Sequence, residues 1–265
     1  MQSHRSVRAE LREKAVAMLV VADDYDLFEF FLKEVGAQRI EVPVQMEFRY
    51  SPCNPDPQQM LAAGVKEIDL RNEMTIEQAI SEYDLILSLH CLQIFPVRLV
   101  ENVCCINVHP GFNPYNRGMR SYAFSITSGF PAGATIHLMD AEIDHGDIIA
   151  QQRIDIGVAD TALEVIAKIK EAEQELIRKH LGSIVRGDYQ ASSPSVHGNV
   201  NRLRDYQTLC RLNLAHVGTL QEHIDLLRAT TYGSRKEAYF HDVRGNKYFV
   251  GVSVEHDTSG SGPVR

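Results

Sequence analysis

A chain of 265 residues, 44% hydrophobic and 23% charged, has the make-up of a globular protein, long enough for one large domain or one domain with an appendage. Its formal net charge is −8 and no basic cluster occurs, which argues against a nucleic-acid surface but leaves room for a small anionic substrate held by a few donors. No run approaches the roughly 18 uninterrupted apolar residues of a membrane span, so neither a nucleic acid nor a membrane is an expected partner.

The opening MQSHRSVRAELREK is charged and lacks the apolar core of a secretory signal, so residues 1–14 read as an N-terminal extension. AVAMLVVADD, ending at Asp24, reads as a buried first strand, and LFEFFLKEVG follows with helical periodicity and a stop at Gly36. IEVPVQMEF is a second strand that Pro43 places at a sheet edge. After the loop SPCNPDP, Thr75 and Gln78 form a capping-box pattern opening a helix. DLILSLH (84–90) is a buried strand, FPVRLVEN a short helix and CCINVH a further strand. MRSYAFSITSG reads as a helix ending at Gly129, and ATIHLMD and IIAQQRIDI as strands around the connection AEIDHGD. Thr161 and Glu164 cap a long helix whose apolar side carries Leu163, Ile166, Ile169, Leu176 and Ile177.

The run YQASSPSVHGNVN, rich in Ser, Pro, Gly and Asn, marks a domain boundary. Beyond it, Thr219 and Glu222 cap a helix, and AYFHDVRGNKYFVGVSV forms a hairpin turning at Arg244-Gly245-Asn246. Tyr239, Phe240, Tyr248 and Phe249 crowd that hairpin; a lone hairpin is marginal, so a dimer partner is expected to cover it. Strands alternating with helices predict an α/β fold with a doubly wound, mostly parallel Rossmann-like sheet and a small C-terminal helix and β-hairpin unit. The expected division is 15–190 for the main domain, 191–256 for the C-terminal unit, and 257–265 for a small polar tail that reads as disordered. The five cysteines show no C-x-x-C spacing, and Cys104 and Cys105 sit in an apolar run, as reduced thiols of a cytoplasmic protein do.

Two segments carry candidate chemistry. In NVHPGFNPYNRG, Asn107 and His109 are two apart at a strand end, so they project from the same face, beyond the carboxyl edge where doubly wound sheets bind ligands. In MDAEIDHGD, Asp140, Glu142, Asp144, His145 and Asp147 crowd one connection. No Ser or Cys stands in a nucleophile elbow, and no metal-ligand spacing such as H-E-x-x-H appears. A metal site from His109, Asp144 and His145 is the weaker option. The better-supported one is acyl transfer directly between two bound substrates. An asparagine amide would donate to the developing oxyanion, an imidazole would exchange the amine proton, and a carboxylate would orient the imidazole.

Asn107-Val108-His109, the Arg117-Gly118 pair behind a proline-containing loop, and GATIHLMDAEIDHGDIIAQ together resemble the folate-dependent formyltransferase family. The fold resemblance covers roughly residues 15–187. Carried over residue by residue, it implies a catalytic trio of Asn107, His109 and Asp144. SLHCLQIFP, SPSVHGNVN, DYQTLCRLN and the terminal hairpin extend the likeness along nearly the whole chain to the sugar-nucleotide N-formyltransferases. The resemblance implies 10-formyltetrahydrofolate as formyl donor, no metal, a dTDP-linked aminodideoxy sugar used for bacterial surface polysaccharides as acceptor, and a homodimer. It places the folate against His90, Cys91, Leu92 and Gln93 on one side and Asp140, Ala141, Glu142 and Ile143 on the other. Asn113, Tyr115, Asn116, Arg117 and Arg120 are the candidates for the sugar and diphosphate.

The chain departs from closely similar members at Met119-Arg120-Ser121-Tyr122, where Trp-Phe-Pro-Gln is common, and at Leu92, where a lysine is common. Arg120 is the candidate replacement for that lysine. A 4-amino-4,6-dideoxy sugar is the favoured acceptor, with the 3-amino isomer next. A UDP- or GDP-linked sugar, a metal-dependent hydrolase and a catalytically silent sugar-nucleotide sensor remain the alternatives.

Overall fold

The computed structural model describes residues 15–38 and 42–257. The extension 1–14, Ile40 and Glu41 of the expected second strand, and residues 258–265 of the expected tail lie outside the described residues.

The first strand, β1 (Val16–Ala22), is buried along nearly its whole length. Its alternate residues feed two cores: Met18 and Val20 face one and Leu19 and Val21 the other, as expected of a strand covered on both faces. β2 (Val44–Tyr50), β3 (Lys66–Glu67), β4 (Leu85–Leu89), β5 (Cys104–His109), β7 (Ala132–Leu138) and β8 (Ile148–Ile154) complete a seven-stranded sheet ordered β3-β2-β1-β4-β5-β7-β8. Pairings from β3 to β5 are parallel, and those of β5 with β7 and β7 with β8 are antiparallel. The order reverses beside β1, so the carboxyl ends of β1, β4 and β5 open together at one edge.

Helix α1 (Tyr25–Ala37) and the long α6 (Ala162–Val185) cover one face through Leu27, Phe28, Phe31, Leu176, Ile177 and Leu181. α3 (Glu73–Glu82) and α4 (Val97–Asn102), with Leu70 and Phe95, cover the other through Ile76, Ala79, Leu99 and Val100. α2 (Gln58–Ala62) is a short turn leading to β3. Among the described residues no helix is long and apolar enough to cross a membrane.

Several local expectations change. Gly36 does not stop α1, which runs through it to Ala37. α3 begins before the Thr75–Gln78 pattern, because the Asn72 side chain already accepts from the amides of Met74 and Thr75. Pro43 precedes β2 rather than lying in it, and β2 is next to last; only Arg49 and Tyr50 find partners on β3, so the rest of it behaves as an edge. The Thr161–Glu164 capping box does open α6, but Leu163 is solvent-facing and the buried stripe runs through Ala162, Val165 and Ile169.

α5 (Ser121–Ser128) ends at Gly129 as expected. With the start of α6 it builds a third core against α7 (Leu203–Cys210) and the end of α8 (Leu220–Ala229), through Tyr122, Ala123, Val165, Tyr206, Cys210 and Ala229. The C-terminal segment also carries the ribbon β10 (Thr231–Tyr232) and β11 (Arg235–Lys236), and the expected hairpin, β12 (Ala238–His241) with β13 (Lys247–Val250). The run read as a boundary is not a free linker. Ser192 bridges to Ile148, and β9 (Val200–Asn201) pairs in parallel with β6 (Arg117–Gly118), inside the loop that follows β5.

Candidate active site

Asn107 and His109 lie on one face at the end of β5, 9% and 3% exposed. Opposite them on β7, in ladder register, stand His137 and Thr135. The connection from β7 to β8 folds back along β5 and brings Asp144, in a left-handed backbone conformation (φ 46°), over this polar row. Its carboxylate accepts from Asn107 Nδ2 at 3.2 Å and from the Gly118 amide at 3.0 Å. It stands 3.5 Å from His109 Nδ1 and 3.6 Å from His137 Nε2. The three residues expected to form the catalytic trio are therefore in one cluster, although Asp144 is 37 residues from Asn107 in sequence.

The cluster sets opposite charge preferences on its members. Burial pushes the His109 imidazole down to about 4, and the neighbouring Asp144 offsets this only in part. His109 is thus neutral near pH 7 and carries charge only after it has taken up a proton. Burial alone would raise Asp144, but the two imidazoles and the Gly118 amide outweigh it and hold the group well below the usual carboxylate range. His109 Nε2 is buried without a hydrogen-bond partner. A neutral imidazole with one nitrogen toward a carboxylate and the other unpartnered is arranged to accept a proton and to be stabilised once charged.

His137 was not singled out by sequence, where ATIHLMD reads as an ordinary buried strand. It is 1% exposed; if its Nδ1 donates to the Leu138 carbonyl 2.7 Å away, Nε2 is left to accept from Asn107 Nδ2 at 3.4 Å. The signal available was its place two residues from Thr135 on one strand face, repeating the Asn107–His109 spacing. Thr135 Oγ1 donates to the Gly111 carbonyl and accepts from the Asn113 amide and from Gln151 Nε2, pinning the turn after His109.

The residues expected to bind sugar and diphosphate divide. Asn113 and Asn116, 2% and 1% exposed, are taken up by the scaffold. Asn113 Nδ2 donates to the Asp144 carbonyl, and Asn116 Nδ2 to Ser125 and Ser128. Both side chains thus shape the loop through internal bonds. Arg117 is buried and donates to the Ile143 carbonyl at 3.2 Å, bridging the two catalytic segments, with its Nε unpartnered. Arg120 turns toward the C-terminal core: it donates to the Tyr122 hydroxyl and lies over the Tyr206 ring at 5.3 Å. Arg120, the candidate replacement for the missing lysine, is thus engaged by two tyrosines. Tyr115 stacks on Phe130 at 5.1 Å, near the surface.

On the expected folate side, Gln93 is 4% exposed and clamps the preceding loop, accepting from the Leu70 amide and donating to Asp69. Its side-chain amide is therefore engaged on both sides within the protein. His90, in a left-handed conformation (φ 55°), sends its Nε2 2.6 Å from Glu173 of α6 and its Nδ1 3.8 Å from Asp24. Burial opposes a charged His90, but Glu173 and Asp24 prevail and raise it above its ordinary value. Its ring is thus tied to α6 and to the aspartate that caps α1. Cys91 is half-buried, and burial pushes its thiol well up, so it is not a nucleophile. Leu92, anchored by its amide to Asp23, exposes its side chain, as do Ile94 and, across the opening, Ile143. Ala141 and Glu142 are exposed beside Ile143, whereas Asp140 is paired with His145 at 2.7 Å. Among the described residues no group of three or more His, Cys, Asp or Glu is arranged to hold a metal ion.

Residues 52–181 match the formyl transferase family model, and residues 205–256 match that of the N-formyltransferase dimerization C-terminal domain. The chain is 42% identical over 192 residues to dTDP-4-amino-4,6-dideoxyglucose formyltransferase of Mycobacterium tuberculosis, an alignment covering 72% of this chain and 81% of the relative. A sugar N-formyltransferase from a Shewanella species superposes with a TM-score of 0.88 at 39% identity, over 91% of this chain and 98% of the other. A 4-N formyltransferase from Francisella tularensis superposes with a TM-score of 0.84 at 37% identity, over 91% and 98%.

Proposed function

The chain belongs to the formyltransferase family, as a sugar N-formyltransferase, and from that premise we propose the following reaction. The formyl group of 10-formyltetrahydrofolate passes to the amine of a dTDP-linked aminodideoxy sugar, dTDP-4-amino-4,6-dideoxyglucose first among candidates. The observation that carries this reading is the cluster of Asn107, His109 and Asp144 at the open end of β5, in a chain so similar to a relative named for that substrate.

The sugar amine attacks the formyl carbon, forming a tetrahedral intermediate; its new C–N bond remains when the bond from that carbon to folate N10 breaks. Asn107 Nδ2 turns from Asp144 and His137 to donate to the oxyanion. The neutral His109 accepts the amine proton and, as an imidazolium beside Asp144, stabilises the same oxyanion before N10 takes the proton. An oxyanion donor of this kind contributes about 3–4 kcal/mol. The exposed apolar side chains of Leu92, Ile94 and Ile143 support a folate lying between the 90–94 loop and the 140–143 segment. Arg117 and Tyr115 are the remaining sugar-nucleotide candidates.

We assign the main domain to residues 15–190 and a dimerising unit to 191–256. The Phe240–Tyr248 stack at 5.4 Å and the exposed Val243, Tyr248 and Phe249 support a homodimer through the hairpin. A cytoplasmic role in surface-polysaccharide synthesis completes the proposal. The test is incubation with 10-formyltetrahydrofolate and a panel of dTDP-, UDP- and GDP-linked amino sugars, read by mass spectrometry. A one-formyl mass gain on the dTDP-4-amino sugar is expected. Gain on another nucleotide reassigns the acceptor, and no gain on any sugar refutes the assignment.

A further inference from the structure

Gly118, whose amide donates to Asp144, does not hold its own position: its loop is templated by a segment some 80 residues later. Asn116 stands two residues before it, buried and in the left-handed region (φ 50°), a conformation asparagine tolerates better than most residues. Its amide donates to Asn199 Oδ1 at 2.8 Å, while Asn199 Nδ2 donates back to Asn116 Oδ1 at 2.9 Å. Asn201 Nδ2 adds a second donor to that oxygen at 3.3 Å. The backbones lie side by side: the Arg117 amide donates to the Asn199 carbonyl and the Met119 amide to the Asn201 carbonyl. Gly118 itself has φ 88°, and a Cβ there would lie 2.4 Å from the Asn201 carbonyl oxygen, so the two strands touch without clearance.

We infer that Asn199 is a positioning residue for the transfer reaction: through its two-way amide bond with Asn116 it fixes the loop whose Gly118 amide orients Asp144. The inference rests on the catalytic role proposed for Asp144. It makes the segment that joins the C-terminal unit part of the active site. Asn199 is itself exposed, and loss of its side chain removes both the acceptor of the Asn116 backbone amide and one of the two asparagine donors to the buried Asn116 Oδ1. The loop then relaxes in the direction that withdraws the Gly118 amide from Asp144. Substrate-binding surfaces on the 90–94 loop and at 140–143 stay where they are.

The test compares Asn199→Ala, Asn199→Asp and Arg228→Lys in the full-length protein. Arg228 donates to the carbonyls of Asp160 and Gly157, so its replacement loosens the C-terminal unit away from the site. Asn199→Ala is expected to lower kcat by about tenfold or more, since a misplacement near 1 Å costs about 10²-fold, while KM for 10-formyltetrahydrofolate stays within threefold. Asn199→Asp keeps the acceptor for the Asn116 amide and recovers part of the loss. Arg228→Lys lowers Tm but keeps kcat within twofold. Hydrogen exchange at the amides of residues 116–118 gives a readout that needs no substrate and is expected to speed up only in Asn199→Ala. A kcat within twofold of wild type in Asn199→Ala, an equal loss in Arg228→Lys, or unchanged exchange at residues 116–118 overturns the inference. A wild-type protein that formylates no sugar overturns the functional assignment instead, and the exchange result still decides whether Asn199 holds the loop.

Discussion

Gly111 sits where the imidazole of His109, the proposed proton acceptor, leaves no room for a side chain. A Cβ on this residue would lie 2.3 Å from His109 Nε2 and 2.8 Å from Cδ2, where ordinary contact begins near 3.4 Å. Gly111 is not among the glycines in the left-handed region, so Gly111→Ala is a purely steric perturbation. Relief requires a shift of about 1 Å, either of the ring or of the turn. The turn is pinned by Thr135 through the Gly111 carbonyl, at 2.6 Å, so the ring must yield. His109 is 3% exposed and packed edge-on to His137 at a centroid distance of 6.1 Å, which leaves rotation away from Asp144 as its way out. Overpacking of this kind costs about 1–3 kcal/mol in stability, and a reacting group displaced by about 1 Å loses about 10²-fold in rate. Steady-state formyl transfer with both substrates saturating, alongside a thermal melt, is the assay. The expected result is a kcat about 10²-fold down in a protein that still melts cooperatively. A kcat within threefold of wild type in the folded variant would refute the placement of His109 as the proton acceptor.

Asp144→Asn keeps the shape of the group but removes the charge that stabilises an imidazolium, and kcat is expected to fall at least 10²-fold with KM little changed; a loss confined to KM contradicts the role. Burial has moved His109 from 6.5 to about 4; because the unfolded chain binds that proton first, stability falls as pH drops from about 6.5 toward 4. The matching kinetic expectation is a kcat/KM profile with no acid limb near 6.5, and a limb there shows the imidazole to be unperturbed. His90 carries the opposite sign: its value is raised, so its contribution to stability is present below about pH 6.5 and lost as pH rises through its folded pKa, while burial of Glu173, also raised, subtracts stability as pH climbs above 4.5. Glu173→Ala leaves a buried imidazole unpaired and is expected to cost about 3–5 kcal/mol; Tm measured from pH 5 to 9 checks both the loss and the flattening of its alkaline slope. Tyr248→Asp with Phe249→Asp places charge on the exposed hairpin face and is expected to give monomers in sedimentation velocity, and a wild-type association state in that variant moves the interface elsewhere.

Much of the architecture was legible because it rests on local periodicity. β1, β4 and β5 are short apolar runs, and their ends could be aligned at one edge once a parallel sheet was assumed. Asn107 and His109 followed from two-residue spacing alone. Asp144 did not: five acidic or imidazole groups crowd its connection, and only the family resemblance distinguished it from its neighbours. His137 was hidden because a polar residue inside a buried strand looks like an interruption until its cross-strand partner is known. The inward bonds of Asn113 and Asn116 were not legible because polar side chains in a loop look the same whether they face solvent or bond inward; their partners Asp144 and Asn199 are distant in sequence. The Arg120 contact with Tyr206 was hidden for the same reason, since Tyr206 lies 86 residues beyond it in numbering and across the presumed boundary. Strands as short as β6, β9, β10 and β11 have no periodicity to detect.

In the proposed reaction Asn107, His109 and Asp144 move a formyl group from folate nitrogen to sugar nitrogen. The most direct measurement uses 10-formyltetrahydrofolate labelled with ¹³C at the formyl carbon and dTDP-4-amino-4,6-dideoxyglucose, followed by carbon NMR with wild type and His109→Asn in parallel. The account predicts that the labelled signal leaves the folate and appears as a sugar formamide with wild type only. A label that stays on the folate, passes to water as formate, or reaches the sugar equally fast in the variant contradicts it.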